Sequence, residues 1–342
     1  MSAFGSRREA RERALGLLYE AEAKDEPPAV VVAGLPVEPD PYAARLVRGV
    51  QENAIEIDAL LSRYARGWKL ERMPAVDRAL LRLAVYELLA EPDVPTAAVV
   101  SEAVELASQY STDESGRFVN GLLARIAAET RGEAGTHRRP TDDVVESDAE
   151  PEAAAAPGVD AAVPAEPTPV VPGGPPLALP QPPLGDGVIT LRPWQAQDAP
   201  ALVAAWADPA VARWSAPPAR RSLVDAKRWI AATPSLRSRR LALDLVVSSI
   251  GPRPEVLGEV GLSSFDDDDD GSARIGYWIA AGHRGRGLAT RAVRLLTASA
   301  LNRYGLRTVI ATVDPGNRAS QVVLRRAGYE HDATDPSRWV AT

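Results

Sequence analysis

The chain has 342 residues, 45% of them hydrophobic, with a net charge of -7, no cysteine and three histidines. That length exceeds what one hydrophobic core usually serves, and the absence of cysteine excludes disulfides, thiolate nucleophiles and cysteine metal sites. His137, His283 and His331 are too scattered for a histidine-rich metal centre, and no apolar run is long enough to span a bilayer. The N-terminus enters charge at Arg7-Arg8 without an apolar signal core, so a cytoplasmic location is expected.

Charge is uneven along the chain. There are 15 basic and 21 acidic residues over 1–130, 3 and 10 over 131–186, and 21 and 15 over 187–342. The last region therefore suits a polyanionic ligand, and any nucleic-acid surface in the first must be local.

Ser6-Arg7-Arg8-Glu9 has the S-x-x-E spacing of a capping box and predicts a helix start, with Ala10, Ala14, Leu17 and Leu18 as its packing side. At about 100° per residue, Arg7, Arg8 and Arg11 fall within an arc of about 100°. Such a cluster suits phosphate contacts; a solvated charged face, helped by Glu9 and Glu12, is the alternative. Pro27-Pro28 ends this helix, and Pro36, Pro39 and Pro41 mark a loop. The apolar period predicts one helix from Tyr42 to about Tyr64. Pro74 opens another, carrying Val76, Leu80, Leu81, Leu83, Ala84, Val85 and Leu88 almost all round, which implies a central position. After Pro92 and Pro95 a helix carries Val99, Ala103 and Leu106. Ser111-Thr112-Asp113-Glu114 is a second capping-box candidate before Phe118, Val119, Leu122, Leu123 and Ile126. Gly121 reads as a point of close helix packing. Residues 1–130 are thus predicted to be an all-α domain.

Arg7-Arg8-Glu9-Ala10-Arg11-Glu12, the stretch Asp77 to Leu88, Ser101 to Ala107 and Phe118 to Leu122 together resemble the NusB family of transcription antitermination factors. The resemblance covers residues 5–129 in order. It implies an all-helical domain that binds boxA-type single-stranded RNA of nascent ribosomal transcripts. It also implies a small-subunit ribosomal protein and the RNA polymerase antitermination complex as partners. The family's arginine-rich RNA-contacting start falls on Arg7, Arg8 and Arg11, its aromatics on Tyr64 and Phe118, and a nearby acidic position on Glu114. Arginines hold phosphates while aromatic faces stack unpaired bases. Taken alone, Phe118 and Tyr64 each also read as a core aromatic.

Residues 131–186 contain proline after proline, spaced by Ala, Glu, Val and Gly. This composition predicts a disordered, partly polyproline-like tether, because structureless loops of this length are rare inside compact folds. Two modules that fold independently are expected on either side.

Residues 187–342 predict a mixed α/β domain. Strands are expected at Val188 to Pro193, Leu241 to Val247, Val256 to Leu262, Ala273 to Ala280 and Leu306 to Val313. Helices are expected after Trp194, over Leu223 to Ala232, after Leu288 and over Ala319 to Ala327. Asp266 to Asp270 reads as a solvated hairpin turn, or as an attractor for a basic peptide. Ile275 to Ile279 runs into His283-Arg284-Gly285-Arg286-Gly287-Leu288-Ala289 and then a helix. A strand, a glycine turn and a helix N-terminus offer N–H groups to a pyrophosphate; a plain tight turn is the alternative.

Arg284 to Ala289 matches the R/Q-x-x-G-x-G/A signature of GNAT acetyltransferases. With Asn317-Arg318-Ala319-Ser320 and Ala327-Gly328-Tyr329 it resembles the RimJ/RimL-type branch. That resemblance implies acetyl-CoA as co-substrate and no metal. It assigns Arg284, Gly285, Arg286, Gly287, Leu288 and Ala289 to the cofactor loop, Asn317 to the pantetheine arm, and backbone N–H groups around Trp278 and Ile279 to the oxyanion. Ser320 is the candidate proton donor to the departing thiolate, where many relatives have a Tyr at the position of Leu324. The alternative is a serine bonded only to backbone. Glu259 is the candidate base, or else a strand residue facing solvent. The expected function is NusB-type antitermination joined to acetyl transfer onto an unknown amine, a protein N-terminus among the candidates. The alternative is an N-acetyltransferase whose helical domain targets it to RNA or the ribosome.

Overall fold

The computed structural model describes residues 6–65, 70–112, 114–132, 176–215, 221–266 and 271–342. The segment 133–175, which holds most of the expected tether, and residues 267–270 of the acidic run lie outside the described residues.

The first unit is helical. It comprises α1 (Arg7–Ala23), α2 (Pro28–Ala33), α3 (Pro41–Glu52), α4 (Ala54–Tyr64), α5 (Ala75–Ala90), α6 (Thr96–Tyr110) and α7 (Ser115–Arg131). Both halves of the expected capping box form at α1: Ser6 Oγ accepts from the Glu9 N–H, and Glu9 accepts from the Ser6 N–H. Asp40 caps α3 ahead of Pro41. The central helix is α5, with Leu80, Leu81, Leu83, Ala84 and Val85 buried together with Asp77 and Glu87. Gly49 of α3 meets the Tyr86 ring so closely that a Cβ there would overlap it.

Three expectations need correction here. The helix predicted over 42–64 is broken at Asn53, whose Nδ2 donates back to the Gly49 carbonyl at 2.8 Å; an apolar period does not register so short a break. The helix α7 begins at Ser115 without a side-chain cap from Glu114. Gly121 is exposed, and Gly116 is the close-approach position, where a Cβ would lie 2.8 Å from Ser108 Oγ.

The second unit begins earlier than its composition suggests. Leu177 is only 1% exposed in the α/β core, its N–H donates to the Arg237 carbonyl, and Tyr304 donates its hydroxyl proton to the Ala178 carbonyl. β1 (Leu184–Gly185) then pairs with β2 (Ile189–Pro193). Residues 176–186 therefore belong to the fold despite their prolines, because proline is tolerated at an edge where no ladder donor is required.

After β2 come α8 (Ala199–Ala207), α9 (Pro209–Ser215), α10 (Leu223–Ser238), β3 (Ala242–Ser249), β4 (Val256–Asp266) and β5 (Ser272–Ile279). The unit ends with α11 (Leu288–Arg303), β6 (Thr308–Thr312), α12 (Arg318–Ala327), β7 (Glu330–His331) and β8 (Arg338–Ala341). The sheet order is β1-β2-β3-β4-β5-β6-β8-β7. Every pairing is antiparallel except β5 with β6. One face packs Leu243, Leu245, Val260, Ile275 and Ile279 against Leu288, Ala292 and Leu296 of α11. The other packs Val246, Trp194 and Trp278 against Leu202, Ala226 and Ile230 of α8 and α10.

The two cores touch. Leu236, in the last turn of α10, and Leu241, between α10 and β3, join the apolar cluster of the helical unit. Ser235 Oγ donates to Glu56 Oε2 of α4 at 2.7 Å, and Arg239 pairs with the same carboxylate. The expected separation into two independent modules is thus modified by a shared apolar edge.

Candidate functional site

The parallel pairing of β5 with β6 is short: Ser272, Ala273 and Arg274 meet Thr308, Val309 and Ile310. Beyond Arg274, β5 runs on to Ile279 alongside β4. A gap therefore opens between β5 and β6 at their carboxyl ends, the usual side for ligands in sheets of this kind.

Gly285 (φ +77°) and Gly287 (φ +76°) turn the chain from β5 into α11. Both require the left-handed backbone that glycine adopts without cost, and a Cβ at either would meet nothing within 4 Å. The approach to the backbone is open, and the first-turn N–H groups of α11, at Leu288, Ala289 and Thr290, have no partner within the helix. The loop fits a diphosphate.

Its arginines divide. Arg284 is committed elsewhere: Nε donates to the Ile279 carbonyl at 2.8 Å, and its guanidinium pairs with Asp208. Arg286 is exposed and bonds the Gly282 carbonyl at 3.1 Å, leaving the rest of its fork to a ligand. Through these bonds Arg284 braces the loop.

Strand alternation decides which amides face the gap. The Ala280 N–H donates to the Leu257 carbonyl, so in this antiparallel ladder Trp278 also bonds toward β4, while Tyr277 and Ile279 turn the other way. Of the two expected oxyanion donors, Ile279 faces the gap and Trp278 does not. Tyr277 was missed, although the strand period alone pairs it with Ile279. Its hydroxyl donates to the Ser320 carbonyl at 3.2 Å, and burial pushes that phenol up to about 12.

Asn317 caps α12, with Oδ1 accepting from the Ser320 N–H at 3.1 Å. Ser320 is half-buried in the first turn of α12, beside β5. Leu324 is fully buried in the core, so that position supplies no proton donor.

Glu259 lies on the opposite face of the sheet and does not look into solvent. Trp194 Nε1–H donates to its Oε2 at 2.9 Å, and Trp278 Nε1–H to its Oε1 at 3.2 Å. Burial first, then the neighbouring Asp244, raises its pKa well above the ordinary carboxylate value, against the pull of the two indoles. Asp244 is raised as well, by burial.

In the helical unit the three arginines have three fates. Arg7 is exposed, its guanidinium 5.3 Å from the Tyr42 ring centroid. Arg8 pairs with Glu105 and also reaches Glu102 and Gln109 of α6. Arg11 is 4% exposed. It grips Glu87 through Nε at 3.0 Å and Nη2 at 2.9 Å, while Tyr42 donates to the same carboxylate. Burial works against the Arg11 charge, and the Glu87 hydrogen bond together with the charges of Glu87, Tyr42 and Glu102 more than offsets it. No phosphate reaches a guanidinium so placed, and Arg11 leaves the nucleic-acid set. The helix period cannot distinguish the rim of a surface arc from its base.

The bond of Arg8 to Gln109 sets the start of α1 beside the α6–α7 corner, where Glu114 is exposed and Phe118 half-buried. Tyr64 is elsewhere. Its hydroxyl bonds Glu129, eleven residues beyond Phe118 and so about 16 Å along α7. Tyr110, 48% exposed at the end of α6, is a further aromatic face at the corner that the family pattern did not flag. Among the described residues no group of three or more His, Cys, Asp or Glu could hold a metal ion, and no helix is long and apolar enough to cross a membrane.

Residues 8–128 match the family model described as "NusB family". The transcription antitermination protein NusB of Salinispora arenicola is 52% identical over 130 residues, spanning 36% of this chain and 95% of its own length. The chain belongs to the NusB family. Residues 189–330 match the acetyltransferase (GNAT) domain model, so the chain joins a NusB antitermination domain to a GNAT acetyltransferase domain. Among solved structures, NusB of T. maritima is 42% identical (TM-score 0.35), covering 37% of this chain and 93% of its own. Mycobacterium smegmatis RimJ in complex with CoA-disulfide is 24% identical (TM-score 0.39), covering 45% and 80%.

Proposed function

We propose that the NusB domain binds boxA-type single-stranded RNA of nascent ribosomal transcripts together with a small-subunit ribosomal protein in an RNA polymerase antitermination complex. The GNAT domain then moves an acetyl group from acetyl-CoA to an amine, a protein N-terminus being one candidate. The gap between β5 and β6, with its two left-handed glycines leading into α11, is the observation that carries the second half. The backbone of Arg286 to Ala289 receives the pyrophosphate, and Asn317 lies at the far wall beside the pantetheine arm.

The chain's own residues supply orientation, proton transfer and oxyanion stabilisation for direct attack. A neutral amine nitrogen adds to the thioester carbonyl carbon, and the new oxyanion is met by N–H groups facing the gap, that of Ile279 first. Glu259 takes the amine proton, directly or through water. As the C–S bond breaks, the Ser320 hydroxyl protonates the departing sulfur. The contact of α10 with Glu56 of α4 favours a second reading, in which the helical domain also carries the acetyltransferase to its RNA-bound target.

On the RNA side, the full chain binds boxA RNA more tightly than a scrambled RNA. Arg7→Ala lowers the slope of log affinity against log salt by about 0.7, the value for one phosphate contact on a single strand. A slope unchanged by Arg7→Ala removes that arginine from the interface, and equal affinity for both RNAs removes the reading. On the enzyme side, calorimetry of the full chain gives a saturable heat with acetyl-CoA. Gly287→Val, which forces a branched side chain into a left-handed position, weakens that binding at least tenfold. Absence of heat with the unaltered chain ends the enzyme proposal.

A further inference from the structure

Three consecutive residues between α10 and β3 are anchored in both domains. Arg239 pairs with Glu56 of α4, and its carbonyl accepts from Arg63 Nη1 at 3.3 Å. Ser235, one turn earlier, donates to the other oxygen of Glu56 at 2.7 Å. Leu241 is buried with Leu236 in the apolar cluster of the helical domain. Arg240 reaches into the α/β core instead. It is 5% exposed, its Nη2 donates to the Tyr304 carbonyl at 3.1 Å, and its guanidinium lies 5.2 Å from the Phe265 ring centroid. Tyr304 is the C-cap of α11.

The backbone of this turn is strained. Arg240 has φ +54°, a left-handed conformation in which a Cβ crowds the following carbonyl. Such a residue persists only where its surroundings over-determine it, and here they come from both domains. Arg239 and Leu241 are held by the helical domain, and the Arg240 side chain by α11 and β4. Release of α4 lets the turn relax to ordinary backbone and draws the guanidinium away from α11. The helix then loses a cation at its carbonyl end, where a positive charge complements the dipole. Its opposite end, the first turn from Leu288, is the one that offers N–H groups to the diphosphate.

We propose that the α4 face bearing Glu56 and Arg63 is the docking surface for the Arg239–Leu241 turn of the same chain, and that docking holds the acetyltransferase domain in its cofactor-binding form. This rests on the acetyl-CoA reading and adds to it a coupling between the two domains. The partner fits by charge and by shape. Both oxygens of the half-buried Glu56 carboxylate are taken by donors of the second domain, and Leu236 and Leu241 fill the apolar edge beside them. Two states follow: docked, with Arg240 capping α11, and undocked, with the turn relaxed and the cap lost. Linkage is reciprocal, so acetyl-CoA tightens docking by the same factor by which docking tightens acetyl-CoA.

Hydrogen exchange of the full chain, read by mass spectrometry with and without acetyl-CoA, tests this without any substitution. Acetyl-CoA slows exchange in the cofactor loop and, about fivefold or more, over residues 54–64 of α4, in the range of an ordinary coupling between sites. Calorimetry of variants gives the converse. Glu56→Arg and Arg239→Glu each weaken acetyl-CoA binding about fivefold or more and speed exchange over 54–64 and 302–306. The double variant, with the pair reversed, regains both. Glu56→Gln, which keeps the shape and removes the charge, shows the same losses in smaller measure. Heat with acetyl-CoA but unaltered exchange in α4, single variants that bind as tightly as the unaltered chain, or a double variant no better than the singles overturns the coupling and leaves the enzyme reading intact. Absence of heat with the unaltered chain overturns the enzyme reading, and the coupling with it.

Discussion

Arg11→Ala lowers the melting temperature of the NusB domain by roughly 10 °C or more, measured by circular dichroism of the full chain. The reason is the company Arg11 leaves behind. Its bidentate partner Glu87 is 1% exposed and sits in the middle of the central helix, with Tyr42 as its other donor. Removing one member of a buried pair leaves the other charge uncompensated and costs about 3–5 kcal/mol, and each kcal/mol lowers the midpoint of a domain this size by about 3–5 °C. The double variant Arg11→Met with Glu87→Leu recovers most of the loss, because apolar side chains of similar volume need no partner. Full-strength salt dependence of RNA binding in Arg11→Lys, with a lowered melting point, would identify the residue as structural. A salt slope reduced as much as in Arg7→Ala would return it to the RNA surface.

Glu259→Gln slows acetyl transfer by about 10²–10⁴-fold, the usual contribution of a positioned general base, with acetyl-CoA affinity unchanged. The rate of the unaltered enzyme rises with pH through the raised pKa of the carboxyl pair, because only the ionised form accepts a proton. Stability runs the other way. A carboxyl group whose folded pKa is raised binds its proton more tightly when folded, so its contribution is fully present below the unfolded value and is lost as pH rises through the folded one. Thermal melts of the full chain should therefore show the acetyltransferase transition weakening from the ordinary carboxylate range upward. Glu259→Gln flattens that slope while it removes activity. A Glu259→Gln variant that keeps its rate eliminates the base, and one that loses acetyl-CoA binding as well marks the residue as structural.

Much of this protein was legible at close range. The Ser6 capping box, the all-round apolar α5 and the glycine turn after β5 all follow from interactions within a few residues, where propensity and period act directly. Asn53 shows where that reading ends, since one side-chain amide folded onto the Gly49 carbonyl splits a helix whose apolar rhythm continues unbroken. The segment 176–186 shows it again. Its proline content resembles a tether, yet Leu177 is buried in the core through partners far along the chain.

By itself the sequence determined most element types, the two family resemblances and the loop that suits a diphosphate, because each is encoded in neighbouring residues. Only the tertiary structure decided which arginine is free, which amides face the gap and what surrounds the two carboxyl groups. Arg11 meets Glu87 across 76 positions and Trp194 meets Glu259 across 65. Contacts of that range are set by helix packing and strand register, which no local pattern of residues contains.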